Sequence, residues 1–316
     1  MVSGPRKLQN LIEMLSRAVL GKEDVIKQLV VGLAAGGHIL FEDVPGVGKT
    51  TLVKGLARSL GCDFRRIQCT PDLLPTDITG IPIYNMKSGL WNFQKGPIFT
   101  QVLLVDEINR TSPKTQSALL EAMEEKQVTI DGTTYPLAEP FFVLATQNPL
   151  EHEGTYPLPE SQMDRFTMKL SLGYPSREEE VRLLQKGIHK KTWEYVEQVM
   201  ETGELLNIQK EIEQVHVENN LLEYAAELSR ATRVHENIAL GISPRGTIHL
   251  VQCAMVHAYI SNRDFVLPDD LQEVLRPVFM HRLVMERSSI FEEISLETLL
   301  EEMRSRVQVP GSTGSR

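Results

Sequence analysis

A glycine-rich loop constrains the fold of this chain more than any other feature of its sequence. The loop Gly46-Val47-Gly48-Lys49-Thr50 follows a short apolar run, His38–Phe41, and precedes apolar residues at helical spacing over 52–60. Glycine has no Cβ, so backbone N–H groups can approach phosphate oxygens, and the positive end of a helix favours an anion. Strand, glycine loop and helix in this order predict a phosphate-binding P-loop.

Individual residues of this loop have separate expected roles. Lys49 places a positive charge opposite the β- and γ-phosphates, and the Thr50 hydroxyl can ligate Mg²⁺. Asp43 stands where the usual pattern has its first glycine. Because a carboxylate repels polyphosphate, we expect Asp43 to be directed out of the loop. The residues expected to bind the nucleotide here are Pro45, Gly46, Val47, Gly48, Lys49, Thr50 and Thr51.

A second apolar run, Val102–Val105, ends in two acidic residues, Asp106 and Glu107. Four consecutive apolar residues are typical of a strand buried on both faces. We expect Asp106 to hold Mg²⁺ together with Thr50, and Glu107 to polarise the attacking water, because paired acids suit hydrolysis of a bound nucleotide. The sequence lacks the Asn-Lys-x-Asp element that reads guanine, which favours ATP over GTP.

Strands and helices alternate up to Tyr174, which predicts an α/β domain with a mostly parallel sheet and helices on both faces. Two β-hairpins, over 81–93 and 127–135, are expected within it, the second turning at Asp131-Gly132. A break at Leu20-Gly21 is expected to separate two N-terminal helices.

Beyond residue 174 the pattern indicates helices throughout. Ser176 and Glu179 form a capping box, and Ser243-Pro244 is a typical helix start. We therefore predict an α/β domain over 1–174, an all-helical domain over 175–307 and a flexible tail over 308–316. His249, Cys253 and His257 share one face of a predicted helix, where core packing is favoured over metal binding.

Composition and charge exclude several classes of protein. An apolar fraction of 41% suffices for a folded core, and no apolar run approaches the roughly 18 residues of a membrane span. Met1–Lys7 lack the apolar stretch of a secretory signal, and the three cysteines have no CxxC spacing. The net charge of −9 disfavours a nucleic-acid platform. These features indicate a cytoplasmic protein.

Four stretches make the chain resemble the MoxR-type AAA+ ATPases, and the resemblance extends over residues 5–307. Those stretches are Phe41–Thr51, Thr70–Gly80, Leu104–Glu125 and Ala145–Phe166. The family tolerates an aspartate at the position of Asp43. The resemblance implies an AAA+ P-loop NTPase core followed by a helical lid, with ATP and Mg²⁺ as cofactors.

The resemblance also implies roles for residues that spacing alone leaves open. Asn148 matches sensor 1, which orients the lytic water, although by itself it could be a strand-end cap. Arg165 matches the arginine finger that reaches a neighbouring subunit, and a surface ion pair is the alternative. Arg245 matches sensor 2, which would contact the γ-phosphate of its own subunit; alternatively it is a solvated residue of a first helical turn. Val19-Leu20-Gly21 resembles the segment that packs on adenine, which adds Gly21 to the nucleotide-binding residues.

The function implied is ATP hydrolysis by a homo-oligomeric ring, expected to be a hexamer, coupled to chaperone-like remodelling or activation of partner proteins. The expected clients are proteins with a von Willebrand factor A domain, in some cases for metal-cofactor insertion. The two hairpins would contact the client, or else pack on their own domain. Two alternatives stay open: a DNA-dependent AAA+ motor, disfavoured because the hairpins offer only Lys87 and Lys95, and a non-hydrolysing nucleotide-dependent scaffold. The sequence names neither the client nor the ring size.

Overall fold

Nine strands precede the lid in the computed structural model, which describes residues 3–150, 154–186, 192–287 and 294–310. The strands are β1 (Ile39–Glu42), β2 (Phe64–Gln68), β3 (Gly80–Asn85), β4 (Leu90–Lys95), β5 (Val102–Asp106), β6 (Gln127–Ile130), β7 (Thr133–Pro136), β8 (Phe142–Gln147) and β9 (Met168–Leu170). Five of them form one sheet in the order β2-β5-β8-β1-β9, and every neighbouring pair is parallel. The predicted parallel α/β sheet is confirmed.

Helices cover both faces of this sheet. They are α1 (Gly4–Ala18), α2 (Glu23–Ala34), α3 (Lys49–Ser59), α4 (Pro75–Thr79), α5 (Pro113–Glu125) and α6 (Glu160–Met163). The predicted break between α1 and α2 is confirmed, and Gly21 has a left-handed φ of 69° there. Strand β5 is buried along its whole length, as its unbroken apolar sequence predicts. Because parallel strands share a direction, the carboxyl ends of β1, β5 and β8 lie at one edge.

Both predicted hairpins are confirmed as antiparallel pairs, β3 with β4 and β6 with β7. Asp131 and Gly132 both have positive φ, 47° and 77°, which is the backbone of a type I′ turn. An aromatic cluster joins the two hairpins: Phe93 stacks on Tyr135 with ring centroids 4.4 Å apart, and Phe99 meets both rings edge-on. The hairpins therefore pack on each other through their bases.

In the described part of the lid region the α-helices are α7 (Arg177–Lys186), α8 (Thr202–Ile212), α9 (Asn219–Arg233), α10 (Pro244–Ile260), α11 (Pro268–Phe279) and α12 (Leu296–Arg306). It also contains one antiparallel ribbon, β10 (Ile238–Leu240) with β11 (Val284–Met285), so the expectation of helices throughout was incomplete. Strands of three and two residues are too short to leave an alternating pattern. No helix in the described ranges has the length and apolar character of a membrane crossing.

One apolar core is shared by the sheet, helices α1–α3 and the lid. Leu8 and Leu29 belong to the same buried cluster as Leu250 and Val274 of the lid, so packing is continuous across residue 174. A second core lies on the other face of the sheet, beneath α5. The predicted tail is described only as far as residue 310, and within that part Val309 packs against the first core. Residues 311–316 lie outside the described ranges.

A buried arginine ties the lid to the α/β part. Arg282 is 4% exposed, and its Nε donates to Asp164 Oδ1 at 2.7 Å. Its Nη2 donates to the backbone oxygens of Asp164 at 3.0 Å and Phe166 at 2.6 Å. The same nitrogen lies 2.8 Å from His249 Nδ1, and burial with this cation beside it lowers the pKa of His249 to about 3. The neutral imidazole can therefore accept that hydrogen bond.

We expect Arg282→Met to lower the free energy of unfolding by about 3–5 kcal/mol. The reason is that Asp164 would lose its buried partner while several carbonyl oxygens lost their donor. Urea denaturation followed by circular dichroism measures the loss. Arg276→Met is the matched control, since the ion pair of Arg276 with Glu297 is exposed, and it should cost at most about 1 kcal/mol. Equal shifts for the two variants would show that Arg282 does not tie the two parts together.

Candidate nucleotide site

A cavity of about 310 Å³ lies at the carboxyl edge of the sheet. It is lined by Asp43, Pro45, Gly46, Gly48, Lys49, Thr50, Thr51, Arg66, Gln68, Asp106, Glu107, Thr146, Gln147 and Asn148. The glycine loop forms one wall, and the ends of β2, β5 and β8 form the other. The structure thus brings together the loop residues and the acidic pair that the sequence analysis selected separately.

The glycine loop depends on backbone angles that glycine adopts without strain. Gly46 and Gly48 have φ of 88° and 103°, and a Cβ built on either meets nothing within 4 Å. Helix α3 starts immediately afterwards at Lys49, and its N-cap residue Gly48 has no side chain with which to cap the first N–H groups. Lys49 Nζ donates to the backbone oxygens of Asp43 at 3.2 Å and Val44 at 3.0 Å. Partial burial lowers the pKa of Lys49, and the nearby acids counteract this.

The Asp43 carboxylate is directed out of the loop, as the charge argument requires. It is buried, and it accepts hydrogen bonds from Ser171 Oγ at 2.7 Å and from the backbone N–H groups of Leu172 and Gly173, both at 2.9 Å. Three donors satisfy a charge that would otherwise repel phosphate. Asp43 therefore joins the loop to the segment that follows β9.

Asp106 is held from two neighbouring strands. Its Oδ1 accepts from Thr146 Oγ1 of β8 at 3.3 Å, and its Oδ2 accepts from Arg66 Nε of β2 at 2.6 Å. The carboxylate is buried, and it lines the same cavity as Thr50. An anionic oxygen and a hydroxyl oxygen are the donor types that Mg²⁺ takes in proteins.

Glu107 has a left-handed backbone, with φ of 58°. Non-glycine residues avoid this region, and the cost is on the order of 1 kcal/mol. Its N–H donates to Thr146 Oγ1 at 2.9 Å, which compensates in part. Its Oε2 accepts from Gln68 Nε2 at 2.8 Å and from Arg110 Nη1 at 3.0 Å. Backbone and side-chain contacts together fix the carboxylate at the cavity wall.

Sequence reasoning missed Arg66, Gln68 and Thr146. Arg66 and Gln68 are two residues apart on β2 and therefore lie on one face of the strand. Parallel pairing places Gln68 directly beside Asp106. The sequence does show that Arg66 and Gln68 share one face of a strand. It does not show that this strand lies beside β5, which ends in the acidic pair, so the two residues could not be assigned to the site.

Asn148 lies at the end of β8 and lines the cavity. Its side-chain oxygen accepts from the N–H of Leu150 at 3.1 Å, so it also caps the strand end. The cap orients the amide and is compatible with a place at the cavity.

Two of the residues expected to bind the nucleotide do not line this cavity. Val47 packs instead against the first core. Gly21 lies against the start of α7, where a Cβ would overlap the carboxylate of Glu179. That glutamate closes the predicted capping box with Ser176, accepting from its N–H at 2.7 Å. The segment that ends at Gly21 is thus in contact with the first turn of the lid.

Arg165 and Arg245 lie together, away from the glycine loop. Both line a separate cavity of about 280 Å³. Arg165 Nη2 is 3.2 Å from Glu124 Oε2, and Arg245 Nη2 donates to Glu124 Oε1. The sequence analysis assigned Arg245 to the γ-phosphate of its own subunit; in the structure it lines the cavity of Arg165, and not the cavity that contains Lys49. The docking of the lid through Asp164 and Arg282 carries the start of α10 to Arg165 instead.

The histidines and cysteine on α10 are used in packing and hydrogen bonding. His249 accepts from Arg282, His257 Nδ1 lies 2.6 Å from Asp270 Oδ1, and Cys253 is fully buried. Burial raises the pKa of Cys253 to about 12, which makes the thiol unreactive.

Comparisons with known proteins agree with this geometry. Residues 38–168 match the ATPase family associated with various cellular activities (AAA), and residues 230–303 match the AAA lid domain. The uncharacterized protein YeaC of Bacillus subtilis (strain 168) is 48% identical over 303 residues, which cover 96% of this chain and 95% of YeaC. Chaperone MoxR1 of Mycobacterium tuberculosis (strain ATCC 25618 / H37Rv) is 41% identical over 313 residues, covering 96% of this chain and 82% of MoxR1.

A solved structure supports the same assignment. A crystal structure from Cytophaga hutchinsonii ATCC 33406 superposes with a TM-score of 0.89 at 41% sequence identity, covering 97% of this chain and 96% of that one. Two matched domains, relatives similar along nearly their whole length and a phosphate-binding loop facing an acidic pair lead to one conclusion: the chain belongs to the MoxR family of AAA+ ATPases.

Proposed function

We propose that this protein hydrolyses ATP with Mg²⁺ and uses the energy to remodel or activate partner proteins in a chaperone-like manner. The observation that carries the proposal is a single cavity in which the glycine loop and Lys49 face Asp106, Glu107 and Asn148. Its charges are arranged for a polyphosphate, with a cation and backbone N–H groups on one side and acids on the other.

The residues present fit the two cofactors. A Cβ at Gly46 or Gly48 would project into open space at the cavity wall, so glycine there leaves room for a phosphate against the backbone. Thr50 and Asp106 supply the hydroxyl and carboxylate oxygens that suit Mg²⁺. When bound, the metal supplies neutralisation of charge on the β- and γ-phosphates.

Glu107 is the general base in this proposal. Its carboxylate is held by Gln68 and Arg110, and its backbone is held by Thr146, so it does not need to reorganise during the reaction. Asn148 lines the same cavity and is oriented by its own strand-end cap, which suits an amide that positions water. Such a base accepts a proton from the attacking water.

The remaining positive charge comes from a neighbouring subunit. Arg165 and Arg245 lie outside the cavity that contains Lys49, so we propose that both are supplied in trans to the γ-phosphate of the next subunit. This revises the expectation for Arg245. A site completed across an interface requires a closed ring, and we propose a hexamer.

We propose that the two hairpins form the surface that binds the client protein. The proposed client is a cytoplasmic protein with a von Willebrand factor A domain, and its remodelling serves in some cases to insert a metal cofactor. The first hairpin exposes Tyr84, Leu90 and Trp91. The ring centroids of Tyr84 and Trp91 are 5.3 Å apart. Its Lys95 lies over the Phe99 ring, 5.1 Å from the centroid, which leaves little basic surface for nucleic acid. An affinity pull-down with Glu107→Gln protein and ATP tests the client, and loss of capture in Trp91→Ala supports the hairpin.

We expect Lys49→Ala to weaken ATP binding by at least about 100-fold. The variant removes a charge-assisted contact to phosphate in a partly buried cavity. Titration with a fluorescent ATP analogue measures the affinity. Lys114→Ala removes the same charge from an exposed site on α5 and should bind normally. Unchanged affinity in Lys49→Ala would remove this lysine from the site.

We expect Glu107→Gln to lower kcat by roughly 10²–10⁴ while ATP affinity is kept, because the amide keeps the shape but cannot accept the proton. A single-turnover assay with radiolabelled ATP measures hydrolysis and also distinguishes the proposal from a non-hydrolysing scaffold. Glu125→Gln changes the same charge outside the cavity and is the control. If Glu107→Gln no longer bound ATP, Glu107 would be a structural or metal-holding group.

We expect Arg165→Ala to bind ATP but to lose on the order of 10³ in hydrolysis, as for an arginine finger in trans. Mixing Arg165→Ala subunits with Lys49→Ala subunits should restore part of the activity, because some interfaces then combine an intact loop with an intact finger. Specific activity of the wild type should also rise with protein concentration as rings assemble. A mixture that stays inactive would contradict the shared site.

A further inference from the structure

Glu124 is the shared partner of the two arginines. Each oxygen of its carboxylate takes one guanidinium, Oε2 that of Arg165 and Oε1 that of Arg245. Within the described residues neither arginine has another hydrogen bond or ion pair. The three side chains are each between 30% and 39% exposed, so they are accessible at the surface.

The backbone that carries Glu124 is anchored to the sheet. His38 immediately precedes β1; its Nε2 is 3.1 Å from the backbone oxygen of Met123, and its Nδ1 accepts from the N–H of Val143 at 3.0 Å. Complete burial lowers the pKa of His38 to about 4, so the ring is neutral and its Nε2–H donates to Met123. Helix α5 ends at Glu125, and its C-cap Lys126 has a left-handed φ of 52°.

The two segments that carry Arg165 and Arg245 are joined through Asp164 and Ser243. Asp164, adjacent to Arg165, accepts from Ser243 Oγ at 2.9 Å and from Arg282 Nε at 2.7 Å. Ser243 is the N-cap of α10, and Arg245 lies in the first turn of that helix. Both guanidiniums therefore start from fixed positions, and their tips meet at one carboxylate.

Charge explains why a carboxylate is needed at this point. Three cationic side chains, Arg165, Arg245 and Lys126, line the cavity with one acid, Glu124. Burial lowers the pKa of His38 to about 4 and that of His249 to about 3, so these two lining histidines are neutral. Arg282 beside His249 is paired with Asp164. Two guanidiniums repel each other, and each long side chain has many rotamers to lose before it can bind. A shared carboxylate offsets the repulsion, occupies one nitrogen of each guanidinium and leaves a net positive surface for an anion.

We propose that Glu124 is a positioning residue that holds Arg165 and Arg245 side by side for the γ-phosphate of the neighbouring subunit. This inference rests on the shared site proposed above. Glu124 acts through the arginines and does not touch the nucleotide. Its effect therefore belongs to the subunit that supplies the fingers, rather than to the subunit that binds ATP.

Glu124→Gln and Glu124→Ala test the proposal, with Glu125→Gln as the matched control. Both Glu124 variants should lower kcat by roughly 10- to 100-fold, because misplaced catalytic groups cost that much, and should leave KM and ATP affinity within about twofold. Glu125 is exposed on the neighbouring position of α5, and its variant should keep wild-type turnover. Thermal melting of all three should match the wild type, since the contact is at the surface.

Subunit mixing separates a positioning role from a structural one. Glu124→Gln subunits mixed with Lys49→Ala subunits should regain activity, because one interface then has an intact loop and intact fingers. Mixed with Arg165→Ala subunits they should show no gain over the separate variants, since every interface then has defective fingers. Rescue by Arg165→Ala, unchanged kcat, or faster turnover of Glu124→Gln would each overturn the role of Glu124. An inactive mixture of Arg165→Ala with Lys49→Ala would instead overturn the shared site, and the Glu124 proposal with it.

Discussion

The parallel register of β2, β5 and β8 is the constraint on which the nucleotide cavity depends. Pairing places Gln68 beside Asp106, and β8 places Thr146 where its hydroxyl reaches both members of the acidic pair. Because β5 and β8 are almost entirely buried, neither strand can slip without exposing a row of apolar side chains. Polar groups at the strand ends are thus held in place by apolar groups along the strands.

A second constraint decides where the lid places its charges. Arg282 is buried and donates mainly to the segment around Asp164, so the lid is fixed against the residues that precede and follow Arg165. A charge in this position is costly without partners, and the carbonyl oxygens and the carboxylate supply them. The result is that the first turn of α10 belongs to the same surface as Arg165.

The sequence was sufficient wherever a function is encoded within a short segment. The glycine loop, the apolar run that ends in Asp106 and the Asp131-Gly132 turn each carry their own geometry, and all three were predicted. Arg66 and Gln68 could not be assigned, because their role depends on which strand lies next to β2. The ribbon of β10 and β11 joins strands too short for a period to be visible.

The position of Arg245 shows a different limit. Its place in a Ser-Pro-Arg helix start was predicted, and Ser243 does cap α10. The cavity that it lines depends on how the lid docks, which in turn depends on Arg282, a residue distant in sequence. Local patterns identify such a residue but do not indicate which cavity it lines.

The packing of the two hairpins against each other means that they move as one unit. A single two-stranded ribbon is marginally stable in water, but the stacking of Phe93 on Tyr135 packs the two hairpins into one unit. Each hairpin follows a helix: α4 runs directly into β3, and α5 ends two residues before β6. Glu124 lies in the last turn of α5, so the same helix supports the second hairpin and the carboxylate that contacts both arginines. Any rotation of α5 would therefore displace the second hairpin and the carboxylate of Glu124 together.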